Sequence, residues 1–146
     1  MKIAKLLFSI TVIILLFTGI SCTKETTTDP TTPTYSIQGL WIGTYTVDGQ
    51  AALGQQYYSF IIKPDGTMIG DSKGSTPAQQ HITLGTWTLT GTTLSCAFTC
   101  VYGASATIGL NQTVTSTWNN TGKLTGTWKN VSGPTASGTF TMTRVN

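Results

Sequence analysis

The chain reads as all-β: an eight-stranded antiparallel up-and-down barrel. Three observations lead there. First, a glycine stands two places before an aromatic ring five times: Gly39 before Trp41, Gly43 before Tyr45, Gly85 before Trp87, Gly126 before Trp128 and Gly138 before Phe140. Residues i and i+2 of a strand share a face. Each pair therefore sets a bare patch beside a large ring, the small–large alternation that fills a narrow, tapering barrel. Second, hydrophobicity alternates with period two, and no stretch beyond the N-terminal segment carries a helical period. Third, tight turns and longer loops alternate strictly along the chain.

The first strand is expected over 37–47, where Trp41 and Tyr45 face inward and Leu40 and Ile42 face outward. The second, 57–63, turns inward Tyr58, Phe60 and Ile62. A Pro64-Asp65-Gly66 hairpin leads to the third, 67–72. In the fourth, 81–89, Thr86 and Thr88 oppose Trp87 and Leu89. Thr90-Gly91-Thr92 turns into the fifth, 93–102, which directs Leu94, Cys96, Phe98, Cys100 and Tyr102 inward. The sixth, 107–118, sets Thr113, Thr115 and Thr117 against Val114 and Trp118. Asn119-Asn120-Thr121-Gly122 leads to the seventh, 123–130, with Leu124 and Trp128 inward. The eighth, 137–145, alternates Phe140 and Met142 with Thr139, Thr141 and Thr143. β-Branched hydroxyl residues suit a wet outer sheet face, so the threonines face water and the rings face the core.

Alternate connections of an up-and-down barrel lie at opposite ends. The tight turns then gather at one end with both ends of the domain. The longer connections, 48–56, 73–80, 103–106 and 131–136, gather at the other. The barrel is expected to be pinched at the first end and open at the second.

Residues 1–21 read as a secretory signal peptide: Lys2 and Lys5, then an apolar run over 6–20, then Gly19-Ile20-Ser21 before Cys22. A membrane anchor is the rival reading, but the run is short for a span of about 20 residues. Cys22 resembles the lipidated cysteine of bacterial lipoproteins; simple cleavage leaving a free thiol is the alternative. The resemblance implies an exported protein held in the outer membrane by its N-terminal lipid, facing the periplasm or the cell surface. Residues 22–34 carry that cysteine and a Thr/Pro linker with no apolar residue, which cannot fold alone. Residues 35–146 have the size of a single barrel domain.

After removal of the signal, residues 22–146 hold six Lys and Arg against five Asp and Glu, a net charge of +1. The basic balance of the full chain therefore owes much to the signal. With no basic cluster interleaved with aromatics, nucleic acid is not an expected partner. Cys96 and Cys100 share a strand face about 13 Å apart, beyond the ~7 Å Cα reach of a disulfide. They read as free, buried, small hydrophobes, unless a bulge brings them together.

Gly39 and Trp41 on the first strand and Arg144 near the end of the last resemble the structural signature of the calycin superfamily. That group comprises lipocalins, fatty-acid-binding proteins, avidins and small barrel protease inhibitors. The resemblance covers about 37–146 and implies a barrel in which Arg144 packs over the Trp41 indole. It also points to bacterial lipocalin-like lipoproteins of undefined role.

The chemistry of catalysis is sparse. The single histidine, His81, and carboxylates placed mostly in turns or linker offer no metal cluster. Asp48 and Asp71 as a glycosidase pair, or His81 in a serine triad, lack a supporting context. Neither an enzyme nor a cofactor is expected. Ten of the inward residues are aromatic, and toward the expected mouth lie Tyr45, Tyr58, His81, Tyr102 and Trp128. An apolar wall with a few hydroxyls and one imidazole suits a small hydrophobic ligand. The rival reading is that these rings fill the barrel and that contacts with other proteins come through the long loops or through Leu40 and Ile42.

Overall fold

The computed structural model describes residues 35–76 and 79–145. The signal segment, Cys22 and the Thr/Pro linker lie outside the described residues. Eight strands follow in order: β1 Gly39–Tyr45, β2 Gln56–Ile62, β3 Thr67–Lys73, β4 Gln80–Thr90, β5 Thr93–Tyr102, β6 Asn111–Trp118, β7 Lys123–Asn130 and β8 Ser137–Arg144. Each pairs antiparallel with the next, and β1 pairs with β8, so the sheet closes. The architecture is an up-and-down, lipocalin-like barrel, as the alternation predicts.

Closure brings the glycine–ring pairs into register. Tyr45 stands opposite Phe140 and Trp41 opposite Arg144 across the β1–β8 seam. The glycines leave more than bare space. A Cβ on Gly43 would be driven into the Thr141 carbonyl, and one on Gly138 into the Thr46 carbonyl and the Trp128 indole nitrogen. Small size at these points lets neighbouring backbones approach closely enough to coil the sheet.

The faces sort as expected. Trp41, Phe60, Ile62, Met68, Leu94, Leu124 and Met142 are almost completely buried. Thr86, Thr88, Thr90, Thr139, Thr141 and Thr143 are exposed. Leu40 and Ile42 do face outward, at 37 % and 39 % exposure. Cys96 and Cys100 are both buried and both free.

The tight-turn end is closed. Ile37 is not part of β1; it folds under the barrel, and its carbonyl accepts the Trp41 indole N–H at 2.8 Å. Gly39 (φ 132°) makes the corner between them, which only glycine enters without strain. The Arg144 guanidinium lies against Gly39 and donates to the Gln38 carbonyl at 3.2 Å. Trp87 donates to the Lys63 carbonyl at 2.9 Å. Residues 107–110 do not begin β6 as expected. Ser105–Thr107 form a 3₁₀ turn, held by the Thr107 hydroxyl donating to the Ala104 carbonyl at 2.6 Å.

Candidate ligand-binding pocket

At the opposite end the barrel holds a cavity of about 260 Å³. All four long connections contribute to its rim, through Val47, Leu53, Gln79, Leu110 and Ala136 among others. The alternation of turns thus marks the open end correctly.

Four of the five expected site residues line the cavity: Tyr45, Tyr58, His81 and Trp128. Tyr45 projects from β1 and meets Tyr58 of β2 and Trp128 of β7 edge to face, with ring centroids 5.3 Å and 5.7 Å apart. Tyr58 packs below on Phe60 at 4.6 Å and on Phe140 at 5.9 Å. These pairings join the cavity wall to the buried core. The Trp128 indole N–H donates to the Thr46 carbonyl at 3.0 Å, which fixes the plane of the ring. His81, half-buried on β4, lies against Gly103, where a Cβ would strike the imidazole.

Tyr102 is the correction. It is 60 % exposed and does not line the cavity. In the β4–β5 ladder Thr83 faces Cys100 but Ile82 faces Tyr102, so Val101 is an extra residue without an opposite number. Such a bulge breaks the period-two alternation. Cys100, one turn of the pleat earlier, keeps its inward place and lines the cavity wall.

Strand alternation alone left out Gln56. The sequence places it in the connection 48–56, but it is the first residue of β2 and only 8 % exposed. It shares the inward face of Tyr58, Phe60 and Ile62. The Tyr45 hydroxyl donates to its Oε1 at 2.8 Å. The signal was present: Gln56, Tyr58, Phe60 and Ile62 continue one period-two series, and an amide at its rim end is a polar group inside a barrel. Gln112 and Asn130 add an amide pair on the β6–β7 wall, joined by a 2.9 Å hydrogen bond.

Among the described residues no Lys, Arg, Asp or Glu lines the cavity, and His81 is the one basic side chain of its wall. Burial pushes the Tyr58 hydroxyl far above the ordinary tyrosine range, with smaller contributions from Cys96 and Tyr45; burial also raises Tyr45. Both phenols therefore stay protonated as donors. Among the described residues no three His, Cys, Asp or Glu side chains gather as a metal site. No protein-family model matches the chain, and no curated protein or solved structure matches it.

Proposed function

We propose that this protein is an outer-membrane-anchored lipoprotein whose lipocalin-like barrel binds a small apolar or aromatic molecule at its open end. Cys22 carries the lipid in this reading, and residues 23–34 tether the barrel to the membrane. The calycin resemblance of Gly39, Trp41 and Arg144 supports placing it among lipocalin-like bacterial lipoproteins. The proposal assigns the barrel no catalytic step, cofactor or nucleic-acid partner.

One observation carries the ligand: rings and polar groups converge on a cavity of about 260 Å³ that all four long loops surround. This is just below the ~300–1,000 Å³ of pockets for drug-sized ligands, so the occupant is compact. The test is native mass spectrometry of the protein after incubation with small molecules and lipids extracted from its own host. A discrete adduct lost in Trp128→Ala supports the reading. A protein that stays unliganded across the extract, with the cavity filled only by water, refutes it. For the anchor, Cys22→Ser is expected to move the protein from the detergent phase to the aqueous phase.

A second reading has its own observation. On the outer wall Leu40 stands opposite Ile61, Ile61 opposite Ile69, and Ile69 opposite Leu84. Leu40, Ile61 and Leu84 are 37 %, 43 % and 49 % exposed. A continuous apolar row across four strands is a contact surface rather than scattered exposure, and it favours an interaction or envelope-structural lipoprotein. Cross-linking from Ile61 to an envelope protein, with the cavity empty, would decide for it.

A further inference from the structure

Two polar groups on the cavity wall are almost fully withdrawn from bulk water and yet have no partner among the described residues. Tyr58 is 6 % exposed, and its hydroxyl makes no hydrogen bond among the described residues. Gln56 is 8 % exposed; its Oε1 is taken by Tyr45, but its Nε2 makes no hydrogen bond among the described residues. Neither atom is sealed inside the protein, because among the described residues the sealed, unpartnered side-chain atoms are Trp118 Nε1 and Asn120 Oδ1. Both residues line the cavity, two places apart on one face of β2, so both groups open onto it.

Buried polar groups are ordinarily satisfied, and an empty donor beside a cavity marks where a ligand acceptor fits. The Tyr45 hydroxyl occupies Oε1, which leaves the N–H₂ as the unused donor of this cavity-lining amide. Tyr58 keeps its proton because burial raises its pKa. Among the described residues the wall holds no Lys or Arg, and its one imidazole, His81, is the only basic group an anion would meet in exchange for its hydration. The Trp128 ring and the apolar Leu110 line the same cavity.

We propose that the cavity selects a small uncharged molecule with a flat apolar body and a carbonyl or ring-nitrogen acceptor. Gln56 Nε2 and Tyr58 Oη donate to that acceptor, while the body lies against Trp128 and Leu110. The inference rests on the small-ligand reading above and narrows its chemistry: neither a plain hydrocarbon nor a carboxylate is the preferred occupant.

Three probes of similar shape test it: 2-naphthamide, 2-naphthoate and 2-methylnaphthalene, each titrated into the full chain and followed by NMR shifts of pocket residues. The amide is expected to bind at least about tenfold more tightly than the carboxylate. Tyr58→Phe and Gln56→Met are each expected to weaken the amide about 2- to 10-fold, the worth of one neutral hydrogen bond. Neither should weaken 2-methylnaphthalene. Circular dichroism and unfolding midpoints establish that the variants remain folded. Equal binding of amide and carboxylate, or equal losses for amide and hydrocarbon, overturns the ligand class and leaves the pocket standing. Failure of all three probes to shift any pocket resonance overturns the class and the small-ligand reading together.

Discussion

Alkali should destabilise this barrel through a thiol. Cys96, on β5, is 4 % exposed, and burial pushes its pKa from 9.0 up to about 12. In the unfolded chain the thiol ionises around its ordinary pKa of 9.0; in the barrel it holds its proton until about 12. Between those limits the folded state binds more protons than the unfolded state, so stability falls as pH rises. Below pH 9 the Cys96 contribution is intact and flat. Each unit above it costs about 1.36 kcal/mol, or roughly 2–3 kcal/mol by about pH 11. That is a large share of the ~5–15 kcal/mol that holds a typical domain. The assay is the urea midpoint of wild type and Cys96→Val from about pH 8 to about pH 11. The wild type is expected to weaken from pH 9. The variant should stay flat until about pH 10 and weaken only beyond it, where the buried hydroxyls of Tyr58 and Tyr45 begin to contribute in the same direction. Parallel curves for the two proteins would refute the reasoning, because Cys96 would then ionise alike in both states.

Gly138→Ala forces a methyl into the Thr46 carbonyl and the Trp128 indole. It should cost at least about 1–3 kcal/mol by overpacking, read as a fall in Tm. Tyr102→Ala touches neither cavity nor core; stability should change by less than about 0.5 kcal/mol, and any ligand adduct should survive. Cys100 faces the cavity and Cys96 does not. Iodoacetamide should therefore label Cys100 first in the folded protein, more slowly with the cavity occupied, as peptide mass mapping would show.

The barrel was legible because its physics is periodic. Threonine against ring along Thr86–Leu89 and Thr139–Met142 gives strand and facing together, and the alternation of turns gives the open end. What broke the period was not legible. The bulge at Val101 carries no residue that demands it, so Tyr102 was turned to the wrong side. The corner at Gly39 detached Ile37 from β1 and made it the floor of the closed end, although its alternation alone fits a strand. Gln56 was missed for another reason: an amide at a strand's first residue resembles loop composition, and only the pairing of Tyr45 with Gln56 shows that the ladder has already begun.

Tyr58 separates a core role from a binding role, because its two parts do different things. The ring packs on Phe60 and Phe140 and contributes to stability wherever the hydroxyl points. The hydroxyl has no partner among the described residues, so Tyr58→Phe orphans no group and removes no hydrogen bond among them. A buried polar group left unsatisfied costs about 1–3 kcal/mol, less whatever water in the cavity returns to it. The variant should therefore be as stable as the wild type near neutral pH, or slightly more so, at an unchanged urea m-value. Binding should move the other way, since the donor is satisfied only when an acceptor enters. A ligand at about 100 times its Kd adds about 2.7 kcal/mol to the folded state, and Tyr58→Phe should reduce that gain at fixed ligand concentration. A loss of more than about 1 kcal/mol in the unliganded variant would mean that the hydroxyl stabilises the fold itself. Tyr58 would then be a core residue that happens to border a cavity, and the case for a ligand would pass to Gln56 alone.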